Sequence, residues 1–219
     1  PPIQIKINEF AKFAMSSSIG PALYAAGKRA LIPVGLHHVY YPPFLYEFGR
    51  FTTEAGEVLR GGTARYFAGD PTAGRFMAAE YPLMLFGLPA ACLAMYLRAK
   101  DKVKVAGMLT TAAITSFLTG ITEPIEFLFI FVAPLLYVFH VAAAFISGLL
   151  TNFFNIRLGY TFSASTIDYF LGITNAGNPM KFWLVVGPII AVLYFVVFYL
   201  TIPMFDFKTP GREDEKEED

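Results

Sequence analysis

Two glutamates, Glu123 and Glu126, occur inside one of the most apolar parts of the chain, in the stretch TGITEPIEF, with Pro124 between them. An ionisable side chain in apolar surroundings is costly without partners, and it therefore indicates a functional site. Glu126 falls where the first turn of a helix would favour a negative charge, which gives it a structural explanation. Glu123, on the interrupted segment before that turn, is the stronger candidate for binding or catalysis.

A second segment of mixed character, GKRALIPVGLHHVYYPPF, contains side chains that could pair with Glu123. Arg29 offers a planar guanidinium that matches a carboxylate or a set of hydroxyl groups. His37 and His38 can donate and accept hydrogen bonds near neutral pH. We expect these three side chains to meet Glu123 in one site. His140, isolated in a later apolar run, is instead expected to pack between helices.

The sequence gives little support for other kinds of chemistry. The histidines lack the spacing and the thiolate partners of a zinc site, so the sequence predicts no metal and no cofactor. It contains no Gly-x-Ser-x-Gly elbow and no Walker loop. The single cysteine, Cys92, is expected to be a small apolar helix residue, and Asp70 and Asp168 are expected in turns or caps. A formal net charge of zero argues against nucleic acid as a partner.

The elements that must position these side chains are predicted to lie in a membrane. Hydrophobic residues make up 55% of the 219 residues, whereas soluble domains are roughly 45–50% apolar. Crossing a bilayer takes about 20 apolar residues. Runs near that length predict four spans, at residues 81–97, 103–118, 127–150 and 182–205. Residues 10–39 are interrupted by polar residues, glycines and prolines, and they predict a helix followed by a re-entrant element.

Local chemistry predicts a helix break next to Glu123. Pro124 disfavours helical backbone in the residue before it and suits the first position of a new helix. Gly120 provides the conformational freedom that the preceding turn needs. This pattern predicts Glu123 at the cap of the new helix. Non-helical backbone at membrane depth is tolerated only inside protein or beside a watery cavity, so we expect this segment to line a cavity.

Charged and aromatic residues predict the orientation of the spans. Four basic residues lie within residues 98–104, and the positive-inside rule places this loop in the cytoplasm. Lys208 and Arg212 follow the last span and place the C-terminus on the same side. Tyrosines near the ends of the apolar runs are expected to be mostly interface anchors. They are Tyr40, Tyr41, Tyr46, Tyr81, Tyr96, Tyr137 and Tyr160.

The chain divides into four zones. Residues 1–28 predict an N-terminal amphipathic or connecting helix, and residues 29–80 predict a re-entrant element with a polar loop. Residues 81–205 predict transmembrane helices, interrupted by a broken segment around residues 115–128. Residues 206–219 predict a charged C-terminal linker. The opening PPIQ has no methionine and no signal pattern, so we expect an N-terminal part to be missing.

Several blocks of the sequence resemble, in order, those of one known family. They are LIPVGLHHVYYPPFLYEFG, RYFAGDPTAG, LMLFGLPAACLAMY, SFLTGITEPIEFLFIFVAPLLYVFH, FSASTIDYF and FKTPGRED. On these blocks, which extend over almost the whole chain, the protein is similar to the glucose-family enzyme IIC component of the bacterial phosphoenolpyruvate:sugar phosphotransferase system. One departure is Lys28 before Arg29, where the family usually has a glutamate.

The resemblance implies an all-α polytopic membrane protein that passes several times through the bacterial inner (plasma) membrane. It implies transmembrane helices plus two re-entrant hairpins, which form the transport domain of an elevator-type IIC fold, and a homodimer in the lipid bilayer. The N-terminal half of that fold would be missing here. PVGLHHVYY would belong to the first hairpin and LTGITEPIEF to the second, with a hexose bound between them.

The resemblance also implies sugar transport coupled to phosphorylation. Glu123 and His37 would act as catalytic groups on the reactive hydroxyl of the sugar. Further sugar contacts would come from Arg29, His38, Thr122 and Glu126. Arg29 would either hydrogen-bond the sugar or hold the Glu123 carboxylate. The phosphoryl donor would be a phosphocysteine of a partner IIB domain, whose C-x-T-R-L-R motif does not occur in this chain.

The identity of the sugar is left open by the sequence. The paired histidines and the stretch YYPPFLYEF favour glucose, with N-acetylglucosamine and maltose as alternatives. A proton-coupled secondary sugar transporter, in which Glu123 and the histidines relay protons, is an alternative mechanism. An intramembrane enzyme would need a nucleophile beside a matched base, and the sequence pairs no serine or cysteine with one.

Overall fold

The chain begins with two helices rather than one. A computed structural model describes residues 2–213, including the side chains of all of these except residues 2–4 and 7. Helix α1 spans Pro2–Ser16 and helix α2 spans Gly20–Ala30. The single helix predicted for residues 1–28 is therefore interrupted at residues 17–19, where the Ser17 side chain accepts a hydrogen bond from the Ile19 amide. Such local side-chain bonds compete with helical ones.

The next segment is a series of short elements. It contains a 3-10 turn and a π turn, on either side of a four-residue helix that carries the paired histidines. A small antiparallel hairpin follows, with Phe51 opposite Leu59, so the predicted all-α fold is mostly helical rather than entirely so. In order, the elements are Ile32–Val34 (3-10), α3 His37–Tyr40, Pro43–Glu47 (π), β1 Arg50–Thr52, β2 Val58–Arg60 and α4 Gly62–Phe67.

Two long helices come next. Helix α5 spans Arg75–Arg98 and is long and apolar enough to cross a membrane, which confirms the span predicted at residues 81–97. A π turn at Leu83–Gly87 lies within it. Helix α6 spans Lys102–Thr119, where the second span was predicted. Although this segment is helical, it is not among the candidate membrane spans of the described residues.

The third predicted span, residues 127–150, is wrong as a single helix. Helix α7 spans Glu123–Ile130 and helix α8 spans Pro134–Phe153. Between them Ala133 has a φ of −143° and a ψ of 71°, outside the helical region. Pro134 explains the interruption because it disfavours helical backbone in the residue before it. Helix α8 alone is long and apolar enough to cross a membrane.

The last part of the chain contains a short helix, α9 Thr166–Gly172, and a long one, α10 Pro179–Met204. Helix α10 has the highest mean hydropathy of the candidate spans, and it confirms the span predicted at residues 182–205. Helices α5, α8 and α10 are thus the three candidate membrane spans of the residues that the structure describes. Length and composition alone assign them to a membrane.

Helix packing brings the mixed segments together in the interior. Helix α2 packs along α8, and α10 packs along α5. The approach of α2 to α8 depends on Gly148, because a Cβ at this position would lie 2.4 Å from the Ala22 Cα. This contact holds the C-terminal end of α2, with Lys28 and Arg29, in the protein interior.

Several tyrosines predicted as interface anchors are buried instead. Tyr40, Tyr81 and Tyr160 are each at most 4% exposed. The Tyr81 hydroxyl donates to the Gly159 carbonyl at 2.7 Å, and the Tyr40 hydroxyl donates to the Leu23 carbonyl at 3.3 Å. A tyrosine that finds such a partner can be buried without leaving its polar end unsatisfied. Tyr46, by contrast, is exposed.

The basic loop and the C-terminal segment lie at the same end of the helices. The backbone N–H of Lys100 donates to the Gly211 carbonyl at 2.9 Å, and Arg212 donates to the Arg98 carbonyl at 3.2 Å. The two regions that their charges assign to the cytoplasm are therefore adjacent. This agrees with the prediction that both lie on the same side of the membrane. Residues 214–219 of the predicted charged linker lie outside the described residues.

Cys92 and the two isolated aspartates have the structural roles expected of them. Cys92 is buried within α5. Asp168 accepts hydrogen bonds from the backbone and hydroxyl of Thr161. Burial alone would raise the pKa of Asp70, but hydrogen bonds from the Thr72 amide and hydroxyl and from Arg65 outweigh it and hold this pKa below its usual value.

Gly120 gives a test of the turn before α7. Its φ is +71°, and an added Cβ would lie 2.6 Å from the Ala164 carbonyl oxygen. We expect Gly120→Ala to destabilise the protein by more than about 1 kcal/mol, since alanine is strained at positive φ. The matched control is Gly107→Ala in α6, where an added Cβ meets nothing within 4 Å. Thermal unfolding in detergent measures both, and equal midpoints for the two variants would contradict the assignment.

Candidate functional site

Four charged side chains from three helices form a buried ionic cluster. The Nη1 atom of Arg29 donates to Oε1 of Glu126 at 2.7 Å, and its Nη2 atom lies 3.3 Å from Oε1 of Glu80. The Nζ atom of Lys28 lies 2.8 Å from the same Glu80 oxygen. Two positive and two negative formal charges balance. A buried charge is tolerated when it is paired and hydrogen-bonded in this way.

Glu126 is surrounded by polar partners on every side. Its Oε2 atom accepts a hydrogen bond from the Thr122 hydroxyl at 3.1 Å, and the same hydroxyl accepts one from Arg29 at 3.0 Å. Nε2 of His140 lies 3.0 Å from Glu126 Oε1, and Nδ1 of His140 lies 2.6 Å from the Tyr194 hydroxyl. His140 therefore bridges α7 and α10, which fits the packing role expected of it.

Glu80 is the second acidic centre of the ionic cluster. Its Oε2 atom accepts hydrogen bonds from the hydroxyls of Tyr24, at 3.2 Å, and of Tyr160. The two hydroxyls are themselves 3.2 Å apart. Glu80 is fully buried, and Lys28 compensates its charge together with Arg29. This carboxylate therefore ties α2 and the segment before α9 to the start of α5.

Glu123 differs from the other two carboxylates because it remains accessible. Its side chain is 36% exposed, whereas that of Glu126 is fully buried. One carboxylate oxygen accepts the Thr122 backbone N–H at 3.1 Å. The other lies 3.6 Å from Nε2 of His37, too far for a hydrogen bond. Thr122, and not Glu123 as predicted, is the cap residue of α7.

His37 and His38 lie across from this carboxylate. Their ring centroids are 3.9 Å apart. His37 is buried, and among the described residues neither of its ring nitrogens has a hydrogen-bond partner. Burial lowers the pKa of His37, and the neighbouring His38 acts in the same direction, against the opposing effect of Glu123. A neutral imidazole with free nitrogens can accept and donate a hydrogen bond to a ligand.

These groups border a cavity of about 110 Å³. Its wall combines aromatic rings with converging polar groups, as is usual for small-molecule sites. The Lys28 ammonium lies 4.6 Å from the centroid of the Tyr41 ring. The residues that line it are Lys28, Arg29, Ile32, His37, His38, Tyr41, Met84, Gly120, Ile121, Thr122, Glu123, Phe162 and Ser163.

A larger and more open cleft, of about 630 Å³, lies elsewhere on the molecule. It is bordered by Arg75, Arg157 and three asparagines, but Arg75 already donates two hydrogen bonds to Asn152. The small cavity is the better candidate because it alone of the two contains the buried imidazole that lacks a partner within the described residues.

Five of the six residues predicted for the site border one cavity: Arg29, His37, His38, Thr122 and Glu123. Glu126 does not border it, because Arg29 and Thr122 hold its carboxylate in the interior. The alternative role for Arg29, holding the Glu123 carboxylate, also differs from the structure, in which Arg29 donates to Glu126, Glu80 and Thr122.

The sequence patterns did not indicate Glu80 or Tyr24, predicted Tyr160 as an interface anchor and gave Lys28 no role. A signal for Glu80 was available, because FMAAEYPLMLF places a carboxylate directly before apolar residues. Lys28 beside Arg29 in an apolar segment is a similar signal. Both are ionisable residues in apolar segments, and such residues usually have a partner or a function.

Comparisons with known proteins agree with the family named by the sequence blocks. The family described as "Phosphotransferase system, EIIC" matches residues 1–144. The chain is 46% identical to the "PTS system glucose-specific EIICBA component" of Staphylococcus carnosus (strain TM300), over 99% of this chain and 34% of that protein. It is 45% identical to the "PTS system N-acetylglucosamine-specific EIICB component" of Bacillus subtilis (strain 168), over 98% of this chain and 47% of that protein. The chain thus spans half or less of the length of these relatives.

The ionic cluster predicts that Glu126 and Glu123 differ in their effect on stability. Glu126→Gln should destabilise the protein by roughly 3–5 kcal/mol, because it breaks a buried pair and leaves the Arg29 charge undercompensated. Glu123→Gln should change stability little, because its carboxylate is partly exposed and 3.6 Å from His37. Thermal unfolding of the detergent-solubilised protein measures both.

Glu213→Gln is the control, because it also removes one negative charge but from an exposed pair with Lys104, at 3.8 Å. Its unfolding midpoint should match that of the unchanged protein. A Glu126→Gln midpoint equal to this control would show that the Arg29–Glu126 pair does not stabilise the fold.

Proposed function

The chain belongs to the EIIC family of the phosphotransferase system, and from this we propose that it binds a hexose in the cavity between Glu123 and His37 and moves it across the membrane. Bound sugar is then phosphorylated by a IIB domain as it reaches the cytoplasm. The protein would act as a homodimer in the bacterial plasma membrane, together with a phosphorylated IIB partner.

One observation carries the proposal. Glu123 offers a carboxylate oxygen towards the cavity, and the His37 imidazole opposite has no hydrogen-bond partner among the described residues. A buried polar group without a partner is costly, so a ligand that supplies hydroxyl groups here is favoured. A sugar hydroxyl donates to Glu123 while its oxygen accepts a hydrogen bond from His37.

Further cavity residues suit the rest of a sugar. Nε of Arg29 is buried without a partner among the described residues, whereas both Nη atoms donate hydrogen bonds to Glu126, Glu80 or Thr122. It can donate one hydrogen bond to the sugar. His38 and the Thr122 region border the same space, and the Tyr41 and Phe162 rings provide apolar faces. Glu126 acts indirectly, because it holds Arg29 in place.

The contribution of this chain to the reaction is to position the sugar hydroxyl for phosphoryl transfer. Phosphoryl transfer depends on in-line alignment and on charge stabilisation, with little covalent work by the acceptor site. The 6-hydroxyl oxygen of the hexose attacks the phosphorus of the IIB phosphocysteine, the S–P bond breaks, and the cysteine leaves as thiolate. Glu123 accepts the hydrogen bond from that hydroxyl and takes its proton, while His37 orients the oxygen.

Two interrupted segments support the finer fold proposal. Residues 31–40 combine a 3-10 turn, a left-handed Gly35 and a four-residue helix, and residues 120–133 contain the short helix α7 between two breaks. Both have too few helical residues to cross a bilayer. We assign them to the two re-entrant hairpins of a transport domain, which carries the sugar by an elevator-like movement.

Glucose is the proposed sugar, on the basis of the paired histidines. The two relatives are named for glucose and for N-acetylglucosamine, and their identities to this chain, 46% and 45%, do not discriminate between the two sugars. N-acetylglucosamine and maltose are therefore included in the test below.

We predict that Glu123→Gln abolishes hexose binding in the full-length protein that contains this sequence. The amide of glutamine has the size of the carboxylate, but it carries no negative charge and cannot accept the proton of the sugar hydroxyl. Equilibrium binding of radiolabelled glucose, N-acetylglucosamine and maltose in detergent measures the effect. Glu57→Gln is the matched control, because Glu57 is an exposed glutamate of the β1–β2 connection.

Three outcomes distinguish the alternatives. Lost binding in Glu123→Gln, with unchanged binding in Glu57→Gln, supports the proposed site. Equal binding in both variants contradicts it. If vesicles without IIB took up sugar in response to a pH gradient, the protein would instead be a proton-coupled transporter.

A further inference from the structure

Three metal-ligating side chains converge in the cavity. His37, His38 and Glu123 each place one ligand atom within 4.8 Å of the other two. Among the histidines, cysteines and acidic residues that the structure describes, these three form the group that could hold a metal ion. The histidines lie in α3 and the glutamate begins α7, more than 80 residues later by number. Sequence spacing predicted no metal because only the fold joins the two segments.

The ligand atoms of this group are close enough together to share one metal ion. His37 has two buried ring nitrogens without partners among the described residues. One oxygen of Glu123 is engaged by the Thr122 amide, which fixes the carboxylate and leaves the other oxygen towards His37. That oxygen and His37 Nε2 are 3.6 Å apart. Two ligands about 2.0–2.1 Å from a tetrahedral zinc ion lie roughly 3.3 Å apart.

The charges around the cavity permit a cation. Lys28 and Arg29 border it, but Glu80 and Glu126 pair with them and balance both charges. Glu123 is then the formal charge that remains in this region, and the two histidines are neutral when they act as ligands. A divalent ion therefore meets a site with a net charge of −1 rather than a positive one.

We infer that His37, His38 and Glu123 form a binding site for a divalent transition-metal ion, with Zn²⁺ as the favoured ion. Two imidazole nitrogens and one carboxylate oxygen are ligands that zinc accepts, with a fourth position open to water. The ion and the hexose compete, because both need Glu123 and His37. The metal site itself stands on geometry, whereas this competition rests on the proposed function.

The test uses the full-length protein in detergent, with its purification tag removed and its metals stripped by EDTA. Titration with Co²⁺ should give the visible absorption of a tetrahedral site at one equivalent per chain, and Zn²⁺ should displace it. Loss of even an outer-shell partner typically weakens metal affinity 10–100-fold, so His38→Ala and Glu123→Gln should each weaken Co²⁺ binding at least about 100-fold. Glu57→Gln should bind Co²⁺ as the unchanged protein does.

A second measurement separates failure of this inference from failure of the proposed function. Radiolabelled glucose binding is measured with EDTA present and again at increasing Zn²⁺, in protein whose thermal unfolding matches the unchanged protein. Binding with EDTA that weakens as Zn²⁺ rises supports both ideas. Glucose binding without stoichiometric Co²⁺ binding overturns the metal site alone. Co²⁺ binding without any hexose binding overturns the proposed function alone, and equal Co²⁺ affinity in all variants overturns the metal site.

Discussion

The ion pair between Arg29 and Glu126 is the interaction on which the rest of the site depends. It joins α2 to α7 at 2.7 Å, in a buried region where the loss of either partner would leave the other charge undercompensated. Glu80 extends the same contact to α5. Since Glu123 lies one turn before Glu126, the pair also determines where the accessible carboxylate stands relative to His37.

The two glutamates of the EPIE motif have different surroundings. Glu126 is fully buried, contacts Arg29, Thr122 and His140, and does not border the cavity. Glu123 has a single amide partner on one oxygen and open space on the other side. Because the two residues are three positions apart, the anchored Glu126 also limits where the Glu123 carboxylate can lie.

Local sequence chemistry predicted the features that depend on a few adjacent residues. Gly120 and Pro124 marked the break before α7, and the long apolar runs marked α5 and α10, because these signals need no partner elsewhere in the chain. The break before Pro134 depends on the same rule about prolines, yet the high hydropathy of residues 127–150 concealed it. An apolar run shows that a segment avoids water, but not that its backbone is continuous.

Features that depend on long-range pairing could not be predicted in the same way. Glu80 stands more than 40 residues from each of its partners Lys28, Arg29 and Tyr160, and only the packed helices show that they meet. Buried tyrosines were mistaken for interface anchors for the same reason. A polar hydroxyl at the end of an apolar run is equally compatible with the membrane surface and with an internal carboxylate.

If Glu123 binds the sugar as proposed, the charge-balanced ionic cluster should hold its carboxylate beside the bound hexose. The most direct measurement is an electron cryomicroscopy structure of the full-length protein with bound glucose. Sugar density is expected between Glu123 and His37, with the Arg29–Glu126 and Lys28–Glu80 pairs intact. Sugar bound elsewhere, or an Arg29 released from Glu126 to bind the sugar, would contradict it.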